Sequence, residues 1–540
     1  MRPRADLLLR NASVYTVDAA TPRAEAVAIR GDRIAWVGAD NDAPDATETI
    51  DLGGRLILPG FVDAHNHVRL GSDEDAVQLG GLSTLEAVRR ALDEYATKHP
   101  DREWIVGEEW SYSAGPAGRD PHADDLDGVA EGRPVLVFSY DVHNVWLNRE
   151  AMRRFGLRPG ATEVTFGRAE LDRDGTPTGF VHDFAVLGLS RAGHATLTER
   201  VRPNFAPDNQ YRRLVASLEK AIGYGITTIV EPQNSLDDLA LFERAVAEGT
   251  LRSRLVAALF HPSGTTAGEL DAFEDAKRRF DDDRFRVAPV KLYIDDVLEP
   301  HTAALLEPYA NDPETTGDTF YEPKEFAAVV TELERRGFQT FTHATGDRGI
   351  RTALDAIGAA RDANGPVDRR HQLVHVELVS ADDLGRFADL GVVACMQPRH
   401  AAPDIVEVWR AAVGTERASL PFPWRSLRDA GATLAFSSDW NVAEMDPIVG
   451  IYSAMTRADL HGENAWAQQE TVDLPTALRA YTMGSAYANF AEVDRGSITA
   501  GKYADLVSLS ENLFEIEPAR FLETHPVLVM TGGEVHLRSV

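Results

Sequence analysis

Short alternating runs of apolar residues open and close the chain, and between them apolar strand-like blocks take turns with amphipathic helical stretches. Near the N-terminus, Asp6 to Val17 and Ala26 to Gly38 read as strand-like, with Gly31-Asp32 between two runs as a hairpin signal. The last ~45 residues repeat this texture, short runs punctuated by glycine. Neither end has enough residues for a core of its own, so the two are expected to pair into one small β-domain. In the middle, strand candidates fall at 60–67, 227–231, 254–260, 290–294, 339–344, 372–377, 392–397 and 434–439. That is the number of strands that closes a (β/α)8 barrel. Helical patterns over 323–336 and 381–389 carry apolar residues at three- and four-residue spacings.

About 160 residues separate the first two barrel strands, several times the usual connection, which predicts an inserted subdomain. Its own signals are a helix over 82–99, apolar runs at 104–110 and 134–140, and a turn at 172–179. The expected class is therefore α/β: a (β/α)8 TIM barrel with a small β-domain built from both termini and an inserted subdomain. The expected boundaries are 1–57 and 491–540 for the β-domain, 58–75 for the first barrel strand, 76–207 for the insertion and 208–490 for the rest of the barrel. Asp281-Asp282-Asp283 reads as a solvated turn.

Composition narrows the class without choosing a reaction. With 44 % hydrophobic and 26 % charged residues, the chain is ordinary for a globular protein with a substantial core. Lys and Arg total 55 against 85 Asp and Glu, a net charge of -30 that disfavours nucleic acid and anionic membrane as partners. The single cysteine, Cys395, excludes an intrachain disulfide and suits a reducing cytoplasm. The N-terminal stretch is too charged for a signal peptide, and no segment reaches the ~18 apolar residues of a membrane span.

Candidate chemistry concentrates at the ends of the predicted strands, where such barrels carry their catalytic groups. The first candidate strand ends in His65-Asn66-His67, and side chains two apart on a strand share a face, so both imidazoles can aim at one metal. A polar strand end with two solvated histidines is the equal alternative for that pair alone. Further along stand Lys291, His343, His375 and Asp439. Each also has a plainer reading: a snorkelling lysine, two core histidines and a helix cap. All of them at successive strand ends is better explained by one metal site.

The chain resembles the amidohydrolase superfamily, metal-dependent hydrolases on a distorted barrel flanked by a β-sandwich. The opening motif is Leu58-Pro59-Gly60-Phe61-Val62-Asp63-Ala64-His65-Asn66-His67, and the closing one is Gly496-Ser497-Ile498 with Gly501-Lys502-Tyr503-Ala504-Asp505-Leu506. Within it the chain is similar to the YtcJ-like branch, amidohydrolase family 3, through Lys291 to Asp295, His343 to Arg348, Gln397-Pro398-Arg399-His400, Ser438-Asp439, Asp446-Pro447 and Thr456-Arg457. The insertion matches through Trp104 to Gly107, Asp141 to His143 and Trp146 to Asn148.

The resemblance implies that His65 and His67 bind a more buried metal and that His343 and His375 bind a more exposed one. Lys291 would be carboxylated and would bridge the two ions, expected to be Zn2+. Asp439 would touch the first metal and shuttle the proton while a metal-activated hydroxide attacks a C-N (amide-like) bond of a small molecule. His143, Gln397 and Asp183 are the substrate-side candidates, and the resemblance allows a homodimer. Two departures stand out: Asp296 replaces a common glycine, and Asp183 stands where a glutamate usually follows Thr178-Gly179. Two other functions fit the same fold. An aminohydrolase (deaminase) typically uses one metal and lacks a bridging lysine, and a non-catalytic scaffold would have lost ligands.

Overall fold

The computed structural model describes residues 4–71, 76–116, 119, 121–188, 191–201, 207–403, 405–415 and 417–540. The expected boundary at residue 75 and the first three residues of the N-terminal stretch lie outside this set. The chain divides into two compact units, one of Met1–His67 with Val215–Val540 and one of Val68–Leu214.

The larger unit holds the barrel. Its strands are β1 (Phe61–Asp63), β2 (Ile226–Asn234), β3 (Arg254–Phe260), β4 (Phe285–Tyr293), β5 (Thr340–Ala344), β6 (Gln372–His375), β7 (Val393–Met396) and β8 (Thr433–Phe436). They form one eight-stranded sheet in chain order, and every neighbouring pair is parallel. Parallel strands covered on both faces must be apolar throughout, which is why β2 and β3 are buried at every position. Val230, Val256, Ala258, Phe341, Val374, Val393, Cys395 and Ala435 come from six of these strands and pack into one buried cluster. Cys395 is thus the small core hydrophobe its apolar run suggests.

Between β8 and β1 the contact continues beyond the strand ends. Asp439 N–H donates to the His65 carbonyl at 2.8 Å, and His67 N–H donates to the Trp440 carbonyl at 2.5 Å. One expectation needs correction here. The strand expected over 60–67 stops at Asp63, so strand alternation does not align His65 with His67. The segment bends, and the ties from Asn66 N–H to Val230 O (2.9 Å) and from Asp439 N–H to His65 O hold it in place instead.

The same unit carries the sandwich. One sheet has the order 33–38, 26–30, 5–10, 46–51; the other runs 534–538, 526–531, 506–509, 56–59, 13–15, 23–24. Leu9, Val27 and Ile29 from the first sheet and Val14, Ile57, Leu506 and Met530 from the second share one buried core. Each terminus supplies strands that the other completes.

The Val68–Leu214 unit is built on a seven-stranded mixed sheet with the helix Leu85–Lys98. That helix starts three residues later than its periodicity suggests, because the Thr84 side chain accepts from Ala87 N–H and caps it there. Among the described residues, no helix is long and apolar enough to cross a membrane.

Candidate metal centre

The carboxyl ends of β1, β5, β6 and β8 bring five of the six expected ligands together, His65, His67, His343, His375 and Asp439. His65 Nε2 lies 3.1 Å and His67 Nε2 3.3 Å from Asp439 Oδ1, and the two imidazole nitrogens are 3.3 Å apart. His375 Nδ1 is 3.7 Å from Asp439 Oδ2. The rings of His65 and His375 sit 5.3 Å apart, and those of His343 and His375 sit 4.5 Å apart. Burial, reinforced by the Lys291 charge, lowers His65 to about 3, so its imidazole is neutral. Burial opposes ionisation of Asp439 as well, but the adjoining His65, His67 and His375 hold its carboxyl well below the usual range.

Hydrogen bonds fix which nitrogen each of the other histidines offers. His343 Nε2–H donates to the Asp296 carbonyl at 3.0 Å, which makes Nδ1 the lone-pair nitrogen. His375 Nδ1–H donates to Gln397 Oε1 at 2.9 Å, leaving Nε2 as its lone pair. Gln397 in turn donates to Ser437 Oγ at 2.8 Å, so this substrate-side candidate orients a histidine. The extra acid, Asp296, is 2 % exposed and accepts from Thr302 Oγ at 2.8 Å.

Lys291 is fully buried on β4, and its amine has no hydrogen-bond partner among the described residues. Its Nζ lies 4.6 Å from the Tyr293 ring centroid and 5.4 Å from that of Phe341. Burial, partly opposed by the Asp439 charge, lowers its pKa to about 8.

His143 and Asp183, the other substrate-side candidates, belong to the Val68–Leu214 unit. The structure brings them close to each other: Phe184 N–H, next to Asp183, donates to the His143 carbonyl at 2.9 Å. Asp183 Oδ2 is 3.4 Å from Arg168. Three groups beside the centre escape the motif reading. Glu377 and His400 form a second donor group with His375, and Tyr293 stacks on His343 at 4.8 Å. The motif Gln397 to His400 does contain His400, and a histidine one short turn past a barrel strand was the available signal.

The donor set fits a divalent metal. One proton can serve only one of the three close contacts among His65 Nε2, His67 Nε2 and Asp439 Oδ1, whereas a cation serves all of them. Their separations match the edge of a tetrahedron with bonds of about 2.0–2.1 Å, roughly 3.3 Å. Two imidazoles and a carboxylate are the usual donors for Zn2+.

A parallel eight-stranded barrel with a histidine–aspartate centre at its carboxyl end belongs to the class of barrel hydrolases. The profile described as the amidohydrolase family matches residues 48–536. The chain belongs to that family, and it is a hydrolytic enzyme acting on carbon–nitrogen bonds. It is 27 % identical over 521 residues to the YtcJ amidohydrolase of Bacillus subtilis, spanning 94 % of each chain. It is also 27 % identical over 524 residues to the N-substituted formamide deformylase of Arthrobacter pascens, 95 % of this chain and 94 % of that one. A crystal structure of an uncharacterized metal-dependent hydrolase from Pyrococcus furiosus superposes with a TM-score of 0.69 at 25 % identity, covering 95 % of this chain and 99 % of that one. The expected resemblance and fold class both hold.

Proposed function

We propose that the protein is a metal-dependent amidohydrolase that cleaves the amide-like C–N bond of a small molecule, with N-substituted formamides as the first class to test. The observation that carries this reading is Lys291, a buried amine without a hydrogen-bond partner among the described residues, in the barrel whose carboxyl end carries the His65, His67 and Asp439 set. An ammonium left so is costly; a neutral amine can instead react with CO2. Nζ forms a bond to the CO2 carbon and loses one proton, giving an N-carboxylate of charge −1 whose two oxygens can serve two cations. His65, His67 and Asp439 would hold one metal, His343 and His375 a second, and the carboxylated lysine both, with Zn2+ the expected ion.

Such a metal, when bound, supplies Lewis acidity toward a water and a carbonyl oxygen. Asp439 takes up the water's proton on a carboxylate oxygen and returns it to the leaving nitrogen. The return is needed because an amide anion is a very poor leaving group. Gln397 holds the His375 ring at its Nδ1, and His143 and Asp183 serve substrate. The formamide choice rests on the similarity to the Arthrobacter pascens deformylase along nearly the whole chain. We extend the reading to a cytoplasmic enzyme with an insertion over 76–207, for which the lone buried Cys395 is suited.

The test is a hydrolysis screen over N-substituted formamides, N-acyl amines, cyclic amides and carbamates, before and after chelation and after Zn2+ is restored. Release of amine that chelator abolishes and Zn2+ restores is the expected result. Ammonia from a purine or pyrimidine panel, with every amide intact, would reassign the chain to the aminohydrolases. Intact-mass analysis under native conditions should add 44 Da for the lysine carboxylate, the mass of CO2, and Lys291→Ala should remove it.

A further inference from the structure

We propose that His375, Glu377 and His400 form a cation subsite, so that the ligand set of the centre extends past His343 and His375 onto the turn that follows β7. The proposal rests on the metal dependence argued above and not on the substrate. His400 lies in the short turn Pro398–Ala401 directly after β7. Its ring is parallel to that of His375 within 9°, with centroids 6.0 Å apart. Its Nε2 stands 3.7 Å from Asp439 Oδ2 and its Nδ1 3.9 Å from Glu377 Oε1, both beyond hydrogen-bond reach. That Nε2 is buried with no hydrogen-bond partner among the described residues.

Glu377 is held independently. Its Oε2 accepts from Trp409 Nε1 at 2.9 Å, and its backbone carbonyl accepts from Phe422 N–H at 2.6 Å. The other carboxylate oxygen is the one nearest His400. Donor atoms of His375, Glu377 and His400 all lie within 4.8 Å of one another, as do those of His65, His375 and Asp439. The two groups share His375. An imidazole between two carboxylates that it reaches without hydrogen-bonding, Glu377 on one side and Asp439 on the other, is matched by a cation. Two imidazoles and one carboxylate favour Zn2+ or Co2+ over Mg2+ or Ca2+.

The connection between β6 and Glu377 also departs from a strand. His375 and Val376 both have positive φ, +75° and +53°. A β-branched residue in that region is sustained only where the surroundings over-determine it. Those two residues turn the chain where His375 and Glu377 enter the cluster.

The test is Co2+ titration of the full chain after chelation, read by visible absorption and by metal content, for wild type, His400→Gln, Glu377→Gln and His65→Ala. Glutamine at 377 keeps an acceptor for Trp409, so that variant is informative if the His400 variant fails to fold. The expected result is that His400→Gln and Glu377→Gln each lose one Co2+ per chain, or bind it at least tenfold more weakly, while the ion lost in His65→Ala stays. Unchanged Co2+ content and affinity in both variants, with or without slower hydrolysis, would overturn the proposal. Wild type that takes up no Co2+ would overturn the metal reading itself, a distinct outcome.

Discussion

Asp63 is the residue on which the placement of the proposed ligands His65 and His67 depends. Its buried carboxylate accepts from Ser438 N–H at 3.0 Å, Ser438 Oγ–H at 2.6 Å and Asn66 Nδ2–H at 2.8 Å. Ser438 Oγ also accepts from Trp440 N–H at 3.0 Å, so one carboxylate ties the segment bearing His65 and His67 to the segment bearing Asp439. Asp63→Asn would set an NH2 group against donors that need an acceptor. Lost outer partners of metal ligands typically weaken metal binding by roughly 10–100-fold. We expect a loss of that size in a chelator competition, together with an unfolding penalty of about 1–3 kcal/mol from the mispaired buried donors. Unaltered metal affinity would show that the backbone contacts alone hold the two segments. The motif 58–67 names Asp63 but not this task, because the task lies in donors some 375 residues away in the sequence. The proposed ligands His65, His67, Lys291, His343, His375 and Asp439 stand out in the sequence for the opposite reason: each is a polar residue within or just after an apolar run, and that contrast is local.

Elements were legible wherever burial imposes a run of one kind. The strand expected at 254–260 matches Arg254–Phe260, since a parallel barrel strand must be apolar on both faces. The helix expected at 381–389 divides into a 3-10 turn, Ala381–Asp383, and a helix, Leu384–Leu390, a change of winding that three- and four-residue spacing does not distinguish. Glu377 was not legible because it follows two positive-φ residues, which no periodicity encodes. Links between strand ends are equally hidden, and Asp295 is the clearest. Just past β4, it accepts from Ala304 N–H at 3.0 Å, Thr345 N–H at 3.1 Å and Gly346 N–H at 2.9 Å, binding the loop after β4 to the turn after β5. Burial outweighs these donors and raises its pKa to about 7 from 3.8. A carboxyl raised in this way favours the fold while protonated, so its contribution is present near pH 4 and is lost as pH climbs through about 7. Urea midpoints measured from pH 5 to 8 should therefore fall more steeply for wild type than for Asp295→Asn. Parallel curves would mean that Asp295 is ionised throughout. Gly349 shields the same carboxylate: a Cβ there would stand 2.3 Å from Asp295 Oδ2, so Gly349→Ala should also destabilise.

Across the larger unit, the sandwich and the barrel are joined by chemistry that the closing motif contains but does not explain. Arg254, the first residue of β3, meets Asp505 in a two-pronged pair at 2.8 and 3.1 Å. Both side chains are about 95 % buried, at 5 % and 4 % exposure. Tyr503 lies under the guanidinium, 3.9 Å from its ring centroid, and Asp505 Oδ1 also accepts from Gly532 N–H at 2.7 Å. The strands contributed by the two termini are thereby anchored to the barrel as well as to one another. A buried pair of this kind is weak evidence for stability by itself, because desolvation offsets much of the attraction. Removing one partner is different, since the other charge stays buried without compensation. Asp505→Ala should cost about 3–5 kcal/mol of unfolding free energy. Replacing both, Arg254→Met with Asp505→Leu, should recover most of that loss, because apolar groups of similar volume need no partner. Urea denaturation of the single and double variants separates the two terms. If the double variant is as unstable as the single one, the pair sets the geometry of the joint between sandwich and barrel, and its role exceeds the neutralisation of a buried arginine.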